Sequence, residues 1–170
     1  MSLWDKTGVP HKGWTCVDMI DLGEDADDMD FESRKEELYE QCEMCNQEGI
    51  RYVHIMEHPD FKGQLRVGCI CAEKMEIDYT TPKKRENNLR NRYNRKINFL
   101  KQLWEIHANG NLVLKYKGKY ITIMKNRHNS AEYGVVYKKI YTFTYNNRKI
   151  TDIQTAKLVA FNIVDKLNLK

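Results

Sequence analysis

Long apolar runs are missing from this chain. No stretch approaches the roughly 18 residues that a membrane helix needs, so no membrane partner is expected. The opening MSLWDKTGVPHKGW has no apolar leader core, which argues against secretion and for an intracellular, reducing setting. There is no internal repeat, and no low-complexity tract beyond one acidic stretch, so solenoid and array architectures are excluded. Catalytic signatures are equally scarce. The chain has no phosphate-binding glycine loop, no carboxylate cluster for metal-dependent chemistry and no recognisable Ser-His-Asp arrangement. His11, His107 and His128 stand isolated. A protein that is not an enzyme is therefore expected. Cysteines number five, and in a reducing compartment clustered thiols are more often metal ligands or redox groups than disulfides.

What is present suits a globular protein with a modest core: 41% hydrophobic and 31% charged residues. A length of 170 residues fits one ordinary domain or two small ones. The net charge of +4 hides a separation of sign. Residues 21–40 carry ten acidic and two basic side chains, residues 82–101 carry eight basic and one acidic, and residues 102–170 carry twelve basic and four acidic. Such separation speaks to partners rather than to fold.

The cysteine pattern is the most specific signal. Cys42-x2-Cys45 is followed, after 23 intervening residues, by Cys69-x-Cys71. Between them, IRYVHIM reads as a strand, PDFKG as a turn and QLRVGCI as a returning strand, with a helix opening at Ala72–Met75. A knuckle, a hairpin and a helix follow one another as in treble-clef-like zinc fingers. Zinc takes about four soft or imidazole donors in a tetrahedron, and a C-x-x-C turn presents two thiolates to one point. The expected ligands are Cys42, Cys45, Cys69 and Cys71, with His54 or His58 as alternates for one of them. Four thiolates leave no open position, and the deaminase pattern H-x-E with P-C-x-x-C is absent, so a structural zinc is expected. Cys16 falls outside the cluster as a buried free thiol.

Around this finger (residues 42–80), the expected organisation is an N-terminal segment with an acidic linker (1–41), a long basic helix (81–108) and a sheet with a C-terminal helix (109–170). The segment around Trp14–Ile20 reads as a short docked strand. Residues 33–41 read as a short helix with Ser33 as N-cap and Glu36 as its capping-box partner. Thr81 is the expected cap of the basic helix, with Pro82 in its first turn. Leu89, Tyr93, Ile97, Leu100 and Trp104 then recur at helical spacing, toward a stop at His107–Gly110. Beyond it the period falls to two. LVLKYKGKYITIM reads as a hairpin about Lys117-Gly118, and YGVVYKKIYTFTY as one or two strands ending at Asn146-Asn147. Thr151, with Gln154, is the expected cap of a last helix whose apolar face is Ala156, Val159, Ala160, Ile163 and Leu167. The fold class is thus α+β, with an antiparallel sheet of three or more strands.

Lys83, Lys84, Arg85, Arg90, Arg92, Arg95 and Lys96 crowd the first half of the basic helix, with four asparagines interleaved. Cations that neutralise phosphates and amides that reach phosphate or base edges make a nucleic-acid footprint.

Three resemblances bear on this reading. The α-β-β-β-α order and the segment TAKLVAF resemble double-stranded-RNA-binding domains, although Ile153, Gln154 and Thr155 stand where that family carries lysines. A three-stranded sheet followed by TDIQTAKLVAF resembles integrase-type and plant ethylene-response-type DNA-binding domains. That likeness implies a DNA-facing sheet bearing Lys115, Lys117, Lys138 and Arg148. Finally, CEMC…IRYVHIMEHPDFKGQLRVGCICAEKM, with KKREN and the opening GVPHKGW, resembles a family of uncharacterised bacterial, plasmid and phage proteins. This implies a zinc site and the cytoplasm of a bacterial or host cell. The combined expectation is a non-enzymatic, Zn2+-containing protein that binds DNA or RNA. The alternative is an adaptor or inhibitor in phage–host conflict that binds a protein through the acidic segment 21–40.

Overall fold

The computed structural model describes residues 1–24 and 35–168, which fall into two compact units, Met1–Asn91 and Arg92–Lys170. The class is α+β. The described strands form antiparallel sheets of three, five and two strands.

In the first unit a 3-10 turn (Leu3–Asp5) precedes β1 (Thr15–Asp21), the single-turn helix α1 (Lys35–Leu38), β2 (Tyr52–His58), β3 (Phe61–Val67) and α2 (Cys69–Glu76). The strands pair in the order β1-β2-β3. Central β2 has five consecutive buried residues, Tyr52–Met56, because both of its faces are covered. The N-terminal segment docks, as its tryptophans imply. Leu3 donates its amide to the Met44 carbonyl (3.0 Å), and the Trp14 indole donates to the Pro10 carbonyl (2.8 Å). Trp14, Met44, Met56, Leu65, Val67 and Met75 make up most of a small core. Ser33, the expected cap of the acidic helix, lies outside the described residues.

Helix α3 (Thr81–Leu100) belongs to the first unit up to Asn91 and to the second from Arg92. Its cap is Thr80 rather than Thr81. The Thr80 carbonyl accepts from the Lys84 amide (3.0 Å), while the Asp78 carboxylate gathers the amides of Thr80 and Thr81 and both of their hydroxyls. The helix also stops at Leu100, short of the expected 107–110. The Gln102 amide turns back to the Phe99 carbonyl (3.1 Å), and the Gln102 side chain donates to the Asn98 carbonyl (3.0 Å). Trp104 keeps the apolar period, but the residues after it form β4 (Glu105–Ile106), paired with Leu112 and Val113. Strand pairing overrides the helical pattern there.

The second unit continues with β5 (Leu112–Tyr116), β6 (Lys119–Lys125), β7 (Tyr133–Tyr137), β8 (Ile140–Thr142), the ribbon β9 (Thr144–Tyr145) and β10 (Arg148–Lys149), and α4 (Ile153–Asn168). Strands β4 to β8 form a meander in chain order. The hairpin at Lys117-Gly118 is present. YGVVYKKIYTFTY, however, divides into three short strands, because Lys138 and Lys139 both take positive φ (48° and 67°) and close a tight turn. Left-handed backbone is uncommon for lysine, so nothing in the residue types announced it. Helix α4 is capped by Asp152, not Thr151. The Asp152 carboxylate accepts from the Thr155 amide (2.7 Å) and hydroxyl (2.6 Å). Ala156, Val159, Ala160, Phe161 and Val164 of α4 pack with Ile121, Ile123, Val135 and Tyr137 of the sheet, and Phe99 closes this core.

Asp165, buried on α4, accepts from Arg95 (2.8 Å) and pairs with Arg92 (3.5 Å). Asp165→Ala removes the carboxylate that both arginines address and is expected to lower unfolding free energy by roughly 2–3 kcal/mol. Asp152→Ala removes one cap and is expected to lower it by about 1 kcal/mol. Urea unfolding followed by circular dichroism ranks the two, and an equal or inverted order contradicts these assignments.

Candidate metal centre

Cys42 and Cys45 sit in a turn locked by its own backbone. The Asn46 amide donates to the Cys42 carbonyl (2.7 Å), and the Cys42 amide donates to the Gln47 carbonyl (2.8 Å). Asn46 takes the left-handed backbone (φ 62°) that this reversal needs, a conformation asparagine tolerates. Met44, between the cysteines, is fully buried, and the Glu43 amide donates to the Arg66 carbonyl of β3 (3.0 Å), so the turn is anchored on the hairpin. Gly68 supplies the extended residue from which α2 starts, and Cys71 occupies the first turn of that helix.

The sulfur atoms of Cys42, Cys45 and Cys71 all lie within 4.8 Å of one another. Ligands held at about 2.3 Å in a tetrahedron stand about 3.8 Å apart, so this spacing is consistent with a bound metal ion. Cys42 and Cys71 are almost wholly buried. The Cys42 thiol is pushed down, chiefly by the Cys71 thiol donating to it and further by the amides of Gly68, Cys45 and Met44, against the opposing effect of burial. Cys71 is pushed up because it is the donor in that pair, with burial adding to the effect, while the Trp4 side chain donates to it and opposes the rise. Amides aimed at a sulfur stabilise thiolate charge, the state in which a thiol binds metal.

Cys69 does not join this group. It lies two residues before Cys71 on one helix, and positions two apart point about 200° from each other around the axis. Its sulfur instead lies within 4.8 Å of a ring nitrogen of His54 and a carboxylate oxygen of Glu86, and 3.6 Å from Glu73 Oε1. Burial first, and then the charges of Glu86 and Glu73, push the Cys69 thiol up to about 12. The alternates also lie elsewhere. His58 packs on Trp14 and accepts the Asp60 amide at Nδ1 (3.0 Å). His54 is wholly buried. Its Nδ1 stands 3.4 Å from the Arg85 guanidinium and 4.0 Å from the Cys16 sulfur. Burial, and then the Arg85 charge, push it down to about 4. Cys16 is half-buried and apart from the three-thiol group. Among the described residues no further His, Cys, Asp or Glu belongs to that group.

The cationic run of α3 is largely engaged within the protein. Arg85 pairs with Glu76; Arg90 pairs with Glu86 (2.5 Å) and lies over the Tyr52 ring. Arg92 and Arg95 pair with Asp165, and Lys96 is buried. Lys83 and Lys84 are exposed. Of the seven cations singled out on this helix, five are therefore paired or buried, with Glu86 one turn away on the same helix, Glu76 on α2 and Asp165 on α4 as the carboxylates.

The lysines of the second unit are displayed differently. Tyr120 faces Lys115 across the strand pair and Tyr141 faces Val136, both pointing away from the α4 side, where Ile121, Val135 and Tyr137 are buried. Tyr120 and Tyr141 are each 64% exposed. Ile121 pairs with Tyr137, so the turns at Lys117-Gly118 and Lys138-Lys139 share one end of the sheet. Lys115, Lys117, Lys119, Lys138 and Lys139 gather there, all exposed and with no carboxylate partner among the described residues. Strand alternation flags Tyr120 as outward-facing, whereas the second turn was invisible in the sequence.

No protein-family model, curated protein or solved structure matches the chain. No helix among the described residues is long and apolar enough to cross a membrane.

Cys71→Ser is expected to remove one metal equivalent per chain and to lower stability by roughly 3 kcal/mol or more. Cys16→Ser is expected to leave metal content unchanged. Elemental analysis with thermal melts checks both, and unchanged metal in Cys71→Ser contradicts the three-thiol centre.

Proposed function

We propose that this chain is a non-enzymatic, zinc-stabilised protein that binds nucleic acid. One observation carries the reading: the lysine-rimmed end of the five-stranded sheet, with two tyrosines 64% exposed beside ammonium groups that have no carboxylate partner among the described residues. Lysines supply the phosphate contacts that dominate affinity, and an exposed tyrosine offers a flat face on which an unpaired base stacks. Lys115 lies over the exposed Tyr120 ring (5.9 Å), so an ammonium group and an accessible aromatic face stand side by side. Such a surface favours single-stranded stretches over base pairs.

Zinc is the metal that best suits the centre. It prefers thiolate ligands, carries no redox chemistry of its own and is a common staple of segments too small to bury a sufficient core. The knuckle, hairpin and helix around it support a treble-clef-like finger. Lys83 and Lys84 remain as auxiliary contacts, while the other cations of α3 serve the fold.

Fluorescence anisotropy of a labelled oligonucleotide, titrated across salt, tests the proposal. Binding is expected to weaken steeply with salt. The triple variant Lys117→Gln, Lys138→Gln and Lys139→Gln is expected to flatten the salt slope by about 2 on a log–log plot. Tyr120→Ala and Tyr141→Ala are each expected to weaken binding roughly tenfold, the scale of one lost stacking contact. No binding at low salt, or full binding by the lysine variant, removes the proposal.

A further inference from the structure

The first unit contains a second constellation of ligand-type side chains that the three-thiol centre leaves unused. One ring nitrogen of His54, the Cys69 sulfur and a Glu86 carboxylate oxygen lie within 4.8 Å of one another. They come from three elements, β2, the first turn of α2 and α3, so the tertiary fold gathers them. Glu73, one helical turn after Cys69, brings its Oε1 to 3.6 Å from the sulfur.

His54 supplies an independent pointer to a ligand. Its side chain is wholly buried, and its Nε2 has no hydrogen-bond partner. A buried ring nitrogen left unsatisfied is destabilising unless something occupies its lone pair or takes its proton. Nδ1 is turned to the Arg85 guanidinium and the Cys16 sulfur, which leaves Nε2 for the Cys69 side.

The charges favour a cation there. Cys16, His54 and Glu76 also lie close together, but Arg85 already neutralises Glu76 and occupies that flank. On the other flank, among the described residues, the half-exposed Arg90 pairs with Glu86 Oε1, while Glu73, like Glu86, is turned to Cys69 itself. Imidazole nitrogen, thiolate sulfur and carboxylate oxygen are the donor types that a borderline divalent ion accepts together, and three protein ligands leave a fourth position exchangeable.

We infer that His54, Cys69 and Glu86 form a second site for a divalent ion of the zinc or cobalt(II) type, separate from the Cys42, Cys45 and Cys71 centre. Binding releases the Cys69 thiol proton as the sulfur–metal bond forms. Glu73 acts as the outer carboxylate that receives that proton or steadies the ligand. Cys69, Glu73 and Glu86 line a cleft of about 920 Å³ that also borders Cys42, Cys45 and Cys71, so an ion can reach the Cys69 and Glu86 side from solvent. The inference stands apart from the nucleic-acid reading and uses none of its residues.

Titration of the metal-free full chain with cobalt(II), followed by visible absorption and elemental analysis, tests the site. The wild type is expected to take up two equivalents. Cys69→Ser is expected to keep one, with the spectrum of the three-thiol centre intact and about a quarter of the thiolate-to-cobalt intensity gone. Glu86→Gln is expected to weaken the second equivalent at least tenfold without altering the first. A single equivalent in the wild type overturns the inference, as does a Cys69→Ser variant that keeps both equivalents, or one that loses both, which would make Cys69 the fourth ligand of the thiol centre. Should Cys69→Ser fail to fold by circular dichroism, Glu86→Gln decides: an unweakened second equivalent overturns the site.

Discussion

The convergence of three sulfurs at the start of one short helix is the constraint on which the first unit depends. Its apolar core is small, and two of that core's members, Cys42 and Cys71, are themselves in the thiol group. The turn that carries Cys42 and Cys45 is tied to the N-terminal segment through Met44 and to β3 through Glu43. A metal ion there would tie the Cys42–Cys45 turn directly to the first turn of α2. In so small a unit, coordination is worth more than several buried methyl groups.

Charge in this protein divides into two populations with different physical roles. The arginines of α3 are drawn onto Glu76, Glu86 and Asp165, where planar guanidinium groups match carboxylates. The lysines of the sheet end meet no such partner among the described residues and lie instead beside aromatic rings. Counting cations along a segment treats both populations alike. Folding separates them, and the second is left to act on a polyanion as we propose.

Helical geometry draws a similar line between two adjacent thiols. Cys69 and Cys71 form one motif on paper, yet a spacing of two residues on a helix sends them to opposite sides. Had α2 begun after Cys71, as the sequence suggested, an extended C-x-C segment would not have imposed that divergence. The start of the helix at Cys69 therefore determines that one cluster has three sulfurs and that the remaining one sits beside His54, Glu73 and Glu86.

Much of the architecture was legible in the residues because local periodicity is a property of the chain itself. The α+β class, the β2–β3 hairpin, the Lys117-Gly118 turn and the apolar face of α4 all follow from periods of 2 and 3.6 with turn chemistry between them. The C-x-x-C turn was legible for the same reason: its geometry is local. What the sequence could not supply was anything dependent on contacts across the chain or on the exact residue where an element begins or ends. The stop of α3 at Leu100, the Lys138-Lys139 turn, the capping by Asp78 and Asp152, the ion pairs that absorb the arginines and the parting of Cys69 from Cys71 are of this kind. The pairing of Arg92 and Arg95 with Asp165 depends on a group some seventy residues away, and the caps, turns and element ends on which of several competing local hydrogen bonds the packed molecule retains; residue types alone leave both open.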